Sequence, residues 1–243
     1  MPSVPKWFAD TLEKVTSKHY HPVTVTHTMY YTPELKLVRF EGEINSAVFV
    51  PANVVEFRVS DTEYRHYTPS LYDAESQVCE VIFYLHGKGI GSRWAENLKK
   101  GDSMKLMGPG GRMSYQPGFD RHFVFGDETS LGLMRCMANA AQQYDHAFFG
   151  LTELEEEHVD WVRYLDIRDV MTTGSSMANP AQPAIELIDR WEGPFWEKIS
   201  TTCFYLTGRA RSIQQLRQFL LLKGVGSRQI KTYPYWAEGK KGL

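Results

Sequence analysis

The rhythm of apolar and polar positions changes twice along the chain. Up to about Val15, the apolar residues Trp7, Phe8, Leu12 and Val15 fall near one face of a helix. From His21 the rhythm is short and β-like. Residues 23–27, 35–40, 47–50, 54–59 and 78–85 are apolar-rich runs separated by turn residues, as expected for an antiparallel barrel. After Gly111 the period shifts again. Residues 122–126 read as a buried strand, residues 129–143 carry Leu131, Met134, Ala138 and Ala141 at helical spacing, and residues 147–151 read as a second strand. Residues 203–207 followed by Ile213, Leu216 and Leu220 repeat the strand–helix unit, which implies a parallel sheet. The expectation is a helical extension over 1–17, an antiparallel β-barrel domain over 18–115 and an α/β domain over 116–243. Residues 152–200, acidic and then rich in Ser, Gly, Asn and Pro, yield no clear element.

Composition narrows the class without naming a function. The chain has 243 residues, 42% of them hydrophobic and 23% charged, which is globular rather than disordered. A net charge of −2 exerts no global pull toward nucleic acid or an anionic membrane, so neither is expected as a partner. No run approaches the roughly 18 apolar residues of a spanning helix, and residues 1–7 lack a signal core. Cys79, Cys136 and Cys203 are scattered and without C-x-x-C spacing, which fits buried thiols in a reducing cytoplasm.

Two stretches carry candidate chemistry. Residues 83–111 begin as an apolar strand, break into Gly87, Gly89 and Gly91 at alternate positions, and turn into a helix at Ser92. They close on Gly108-Pro109-Gly110-Gly111. Glycines let backbone N–H groups approach an anion, and a helix start adds a favourable dipole end, so the stretch reads as a phosphate-holding loop. The Walker lysine is missing, which argues against a nucleoside triphosphate. Upstream lies Arg65-His66-Tyr67-Thr68: an Arg to clamp phosphate, a Tyr for a planar ring and a hydroxyl for a ring nitrogen. On their own, these four residues read rather as a surface strand, and it is their position some twenty residues before the glycine loop that raises them.

In order, Arg-x-Tyr-Thr, His86-Gly-x-Gly-x-x-Ser-x-Trp-Ala, Gly-Asp and Gly-Pro-x-Gly resemble the flavin half of the siderophore-interacting proteins, of the ferredoxin–NADP reductase superfamily. Gly126-Asp127-Glu128-Thr129 and Tyr235-Trp236 continue the resemblance. It implies a six-stranded flavin barrel followed by a nucleotide-binding α/β domain, with FAD held non-covalently and ferric siderophores reduced to release ferrous iron. On this basis Arg65 sits on the FAD diphosphate, Tyr67 beside the ribityl chain or ring, and Thr68 near the flavin N5. His66, His86, Gly87, Gly91, Ser92 and Trp94 complete the pocket, although Trp94 equally suits packing beneath the loop. Iron is then bound through its chelator, with no protein metal ligands. Two departures remove positive charge that would attract an anionic chelate. Ser70 stands where the family has a second Arg, and Ala237 and Glu238 follow Tyr235-Trp236. Lys88, Arg93, Lys240 and Lys241 are the candidate replacements.

In the second domain, Gly126, Asp127, Glu128 and Thr129 at a strand-to-helix turn suit a nucleotide, with Asp127 alternatively a helix cap. Gly208, Arg209 and Arg211 lie at a second such turn. Cations at a helix start oppose its dipole, so Arg209 and Arg211 are candidates for an adenosine phosphate of NADPH, or else loop charges paired to acids. The acidic residues after Leu151 argue the other way, toward NADH. Tyr235 and Trp236 are candidates to cover the flavin. The expected function is an FAD-dependent, NAD(P)H-driven ferric-siderophore reductase. The alternatives are a flavoprotein reductase with another small acceptor, a ferredoxin-driven enzyme, or a non-catalytic flavin- or chelate-binding module.

Overall fold

The computed structural model describes residues 20–44, 48–191 and 193–240. The reading of a helix over 1–17 and the candidate Lys241 both lie outside them. The chain divides into two compact units, the first ending at Ser114 and the second beginning at Tyr115.

Among the described residues, the first unit is built on seven antiparallel strands: β1 (Tyr20–Thr32), β2 (Leu35–Gly42), β3 (Val54–Arg58), β4 (Tyr64–Tyr67), β5 (Leu71–Asp73), β6 (Val78–Tyr84) and β7 (Ser103–Gly110). Their spatial order is β4-β3-β7-β1-β2-β6-β5. Strands β4 and β5 therefore stand at opposite edges, yet only residues 68–70 join them. Such a link reaches about 14 Å, whereas seven flat strands would spread over about 29 Å, so the sheet must curl on itself. The expected strand count of six is corrected to seven by the short β5. Residues 48–50 are not a strand, and Val48 is 84% exposed. Alternation is clearest in β1, where Val23 and Val25 point inward and Thr24 does not. Val25, Phe40, Phe57, Val81 and Leu106 fill the core, with Tyr67 and Trp94 packed against it. One helix, α1 (Gly89–Asn97), follows β6.

The second unit carries a five-stranded parallel sheet: β8 (Arg121–Gly126), β9 (Ala147–Leu154), β10 (Val170–Gly174), β11 (Thr202–Arg209) and β12 (Ile230–Trp236), in the order β10-β9-β8-β11-β12. Every residue of β11 is buried, as in a strand flanked on both sides within a covered parallel sheet. Helices α2 (Leu131–Gln143) and α6 (Ala210–Leu222) follow β8 and β11; the short α3 (Trp161–Tyr164), α4 (Gln182–Asp189) and α5 (Pro194–Glu197) lie between β9 and β11. The chain runs from β8 outward one way to β9 and β10, and the other way to β11 and β12. The switch point thus falls between the C-terminal ends of β8 and β11, where open α/β sheets take their ligands. Cys79, Cys136 and Cys203 are buried free thiols.

Candidate functional site

In the first unit, Arg65 and Tyr67 lie on the short strand β4, and they meet the start of α1. A Cβ built on Gly91 would stand 2.7 Å from the Tyr67 hydroxyl and 3.2 Å from the Arg65 side chain. The glycine is required because these side chains already fill its space. Tyr67 is fixed by Phe83, edge-on at 4.8 Å, and by Trp94, nearly parallel at 6.1 Å. Burial raises its phenol pKa well above the ordinary value, so the ring stays neutral. Trp94 also packs on Phe57 and Phe83, which gives it the packing role. Arg65 donates to the Tyr64 carbonyl at 2.8 Å and pairs with Glu63 at 3.2 Å.

The start of α1 is open. Its N-cap, Lys88, makes no side-chain cap, and the first turn holds no acid. The N–H groups of a first turn have no partner within the helix, so an uncapped one is a ready acceptor site for an anion. Ser92 is buried, and its hydroxyl accepts from the Gly87 N–H at 3.1 Å, folding the loop over the helix start. His86 accepts from the Lys88 N–H at 3.2 Å. His66 faces Glu56 at 2.5 Å, and Thr68 is buried. Ser70 is fully buried with its hydroxyl donating to the Glu80 carbonyl, so this position serves the strand link and presents no charge. Lys88, Arg93 and Lys240 are exposed.

In the second unit, the switch point is occupied by the protein's own side chains. A Cβ on Gly126 would collide with Ser130, and one on Gly208 would stand 2.5 Å from the Asp127 carboxylate. Gly208 also has φ +85°, a conformation L side chains rarely adopt. Both glycines thus let protein groups pack closely. Asp127 caps the turn after β8, accepting from the Thr129 N–H at 2.9 Å and from its hydroxyl at 2.5 Å. Its other oxygen accepts the Trp236 indole N–H at 2.7 Å. Burial raises the Asp127 pKa to about 6. Glu153 near the end of β9 is also buried; it accepts from the Ser212 hydroxyl and, at 3.0 Å, from the Ala181 N–H. Burial lifts its pKa to about 7.

Three sequence-based assignments change. Arg209 is 2% exposed; its guanidinium is taken up by Glu238 and by the carbonyls of Ser176 and Met177, with Trp236 at 5.7 Å. It is a paired buried charge, not a cation presented to phosphate. Glu128 accepts from the Glu155 N–H at 2.8 Å and contacts His158 at 3.0 Å, so it braces the loop after β9. Glu153, the first acid after Leu151, faces the interior rather than a ribose. Arg211 is exposed, and Tyr235 is half-buried beside Tyr233. The sequence reading missed Glu153 with Ser212, and also Lys36, a lone charge inside the buried run of β2.

The family model for the siderophore-interacting FAD-binding domain matches residues 54–113, the stretch that holds β4, the loop and α1. Over those residues the chain is similar to that domain. Ferric vibriobactin reductase ViuB of Vibrio cholerae is 25% identical over 191 residues, covering 72% of this chain. The match spans 65% of that relative's length. The fold of the chain is similar to that of the siderophore-interacting protein SipS from Aeromonas hydrophila. That likeness has a TM-score of 0.74 at 20% identity and covers 92% of this chain and 93% of the other. It is equally similar to the ferredoxin reductase in carbazole 1,9a-dioxygenase, with a TM-score of 0.74 at 19% identity over 89% and 69% of the two chains.

Proposed function

We propose that the protein is a cytoplasmic FAD-dependent reductase that draws electrons from NADH or NADPH and delivers them to a ferric siderophore. The observation that carries this reading is the meeting of Arg65, Tyr67, Gly91 and Ser92 at the uncapped start of α1, inside the stretch that matches the family. The donor set fits a diphosphate: one guanidinium plus first-turn N–H groups, with no carboxylate in that turn. FAD, when bound, supplies the step from a two-electron hydride donor to a one-electron acceptor. One hydride then balances two ferric ions reduced to ferrous, with one proton released.

The side chains of this chain bind and orient. Arg65 and the start of α1 hold the diphosphate, and Tyr67, rigid and neutral, flanks the ribityl chain or ring. Thr68 is assigned to the flavin N5. At the switch point, Gly126, Asp127 and Thr129 meet the nucleotide, with Asp127 held by the Trp236 indole, and the partial neutralisation of Asp127 and Glu153 lowers repulsion toward its phosphates. Lys88, Arg93 and Lys240 are the exposed cations for an acidic chelate. Arg211 is the cation that remains for an adenosine phosphate. The reading is tested in steady state by trapping ferrous iron with a colorimetric chelator. Its formation should require FAD, NAD(P)H and ferric siderophore together, and ferrous iron formed without added or bound flavin would refute it.

A further inference from the structure

Helix α1 is held very differently at its two ends. Its first turn is uncapped. Its last turn is closed by Lys36, a β2 residue only 1% exposed, whose ammonium donates to the carbonyls of Ala95 at 2.9 Å, Glu96 at 2.9 Å and Leu98 at 2.7 Å. An ammonium has three N–H groups, and all three are matched. Tyr30 of β1 adds its ring 4.9 Å from the same ammonium and donates its hydroxyl to the Glu96 carbonyl at 3.2 Å. Both strands of the first hairpin thus grip one turn of helix. Leu35, Leu37 and Val38 around Lys36 are buried and apolar, so a charge there costs desolvation unless every donor is satisfied. A cation is also the favourable charge at the negative end of a helix dipole.

We propose that Lys36 is the positioning residue for the phosphate-binding end of α1: by locking the last turn onto the β1–β2 hairpin, it sets the first-turn N–H groups beside Arg65 and Tyr67. This rests on the FAD reading. It goes beyond that reading in assigning the cofactor's diphosphate affinity to a residue that does not touch it. Removing the ammonium takes a donor from three carbonyls, two of those bonds being buried, and lets the last turn move, and the first turn moves with it because the nine residues form one hydrogen-bonded helix.

The experiment compares FAD with riboflavin, which has no diphosphate, by fluorescence titration of the parent, Lys36→Met and Lys36→Arg. Amide hydrogen exchange over residues 89–97 is measured alongside in flavin-free protein. Lys36→Met should lose about tenfold or more in FAD affinity while riboflavin changes by less than about threefold, and Lys36→Arg should recover most of the loss. Equal losses for the two ligands, or unchanged FAD affinity, overturn the proposal. A parent that binds no FAD refutes the flavin reading instead. The exchange then decides: faster exchange of the amides of residues 93–96, which bond to the first-turn carbonyls, in Lys36→Met upholds the positioning role, and unchanged exchange overturns it. Should Lys36→Met fail to fold, Tyr30→Leu provides the same comparison through the partner ring, with FAD-selective loss supporting the role and equal or no loss overturning it.

Discussion

Gly91 and Tyr67 share one small volume: a methyl group on Gly91 would stand 2.7 Å from the Tyr67 hydroxyl. Tyr67 is packed by Phe83 and Trp94 and has little room to yield. Gly91→Ala should therefore displace the start of α1 from Arg65, costing about 1–3 kcal/mol of stability and at least about tenfold in FAD affinity. Gly110→Ala is the control, because nothing lies within 4 Å of the added methyl group. Thermal melts and FAD titrations on the two variants check this, and equal behaviour contradicts it.

Arg65 is assigned a phosphate contact, and that role separates cleanly from packing. Arg65→Met keeps an aliphatic stem against Gly91 and removes the charge. FAD affinity should fall by about 10- to 100-fold, as for a lost charge-assisted contact to phosphate, while riboflavin binding stays within about threefold. Titration of both flavins measures it.

The division into an antiparallel and a parallel half was legible because the apolar period changes from two to that of strand–helix units. The glycine loop before α1 was legible because alternating glycines are local. Other features left no local signal. Strand β10 is an edge strand with no buried run to read, and β7 ends in Gly108-Pro109-Gly110, which reads as punctuation. The pairing of Arg209 with Glu238 joins residues 29 apart in sequence, and Lys36 finds its carbonyls about 60 residues away. Charges of this kind look like solvated surface until the fold brings their partners to them.

The two buried acids predict a pH dependence. Glu153 has its folded pKa raised to about 7 from 4.5, so the folded state holds a proton that the unfolded state releases. Stability is greatest below about pH 4.5 on this account and is lost as pH rises to about 7; Asp127, raised to about 6, acts in the same direction over a lower window. Glu153→Gln cannot lose a proton. Relative to the parent it should gain about 2–3 kcal/mol at pH 8 and little at pH 4.5. Thermal melts at the two pH values decide, and an equal effect at both contradicts the assignment.

Arg209 and Arg211, two residues apart, should behave differently. Arg209→Ala strips the buried partner from Glu238 and frees two carbonyls, so it should lower stability by about 2–4 kcal/mol and leave the NADPH:NADH preference unchanged. Arg211→Ala should leave stability within about 0.5 kcal/mol and lower that preference if the enzyme favours NADPH. Melting curves and kcat/KM for both nucleotides separate the two roles. A shifted preference in Arg209→Ala with normal stability would restore it as a nucleotide ligand.

The most direct measurement follows the flavin spectrum without oxygen. Protein loaded with FAD is mixed with NADH or NADPH, and a ferric siderophore is then added. The account predicts flavin absorbance that bleaches with at least one nucleotide and returns on addition of the ferric chelate as ferrous iron appears, two irons per hydride. No flavin retained, or flavin that bleaches yet is not restored by any ferric siderophore, would contradict it.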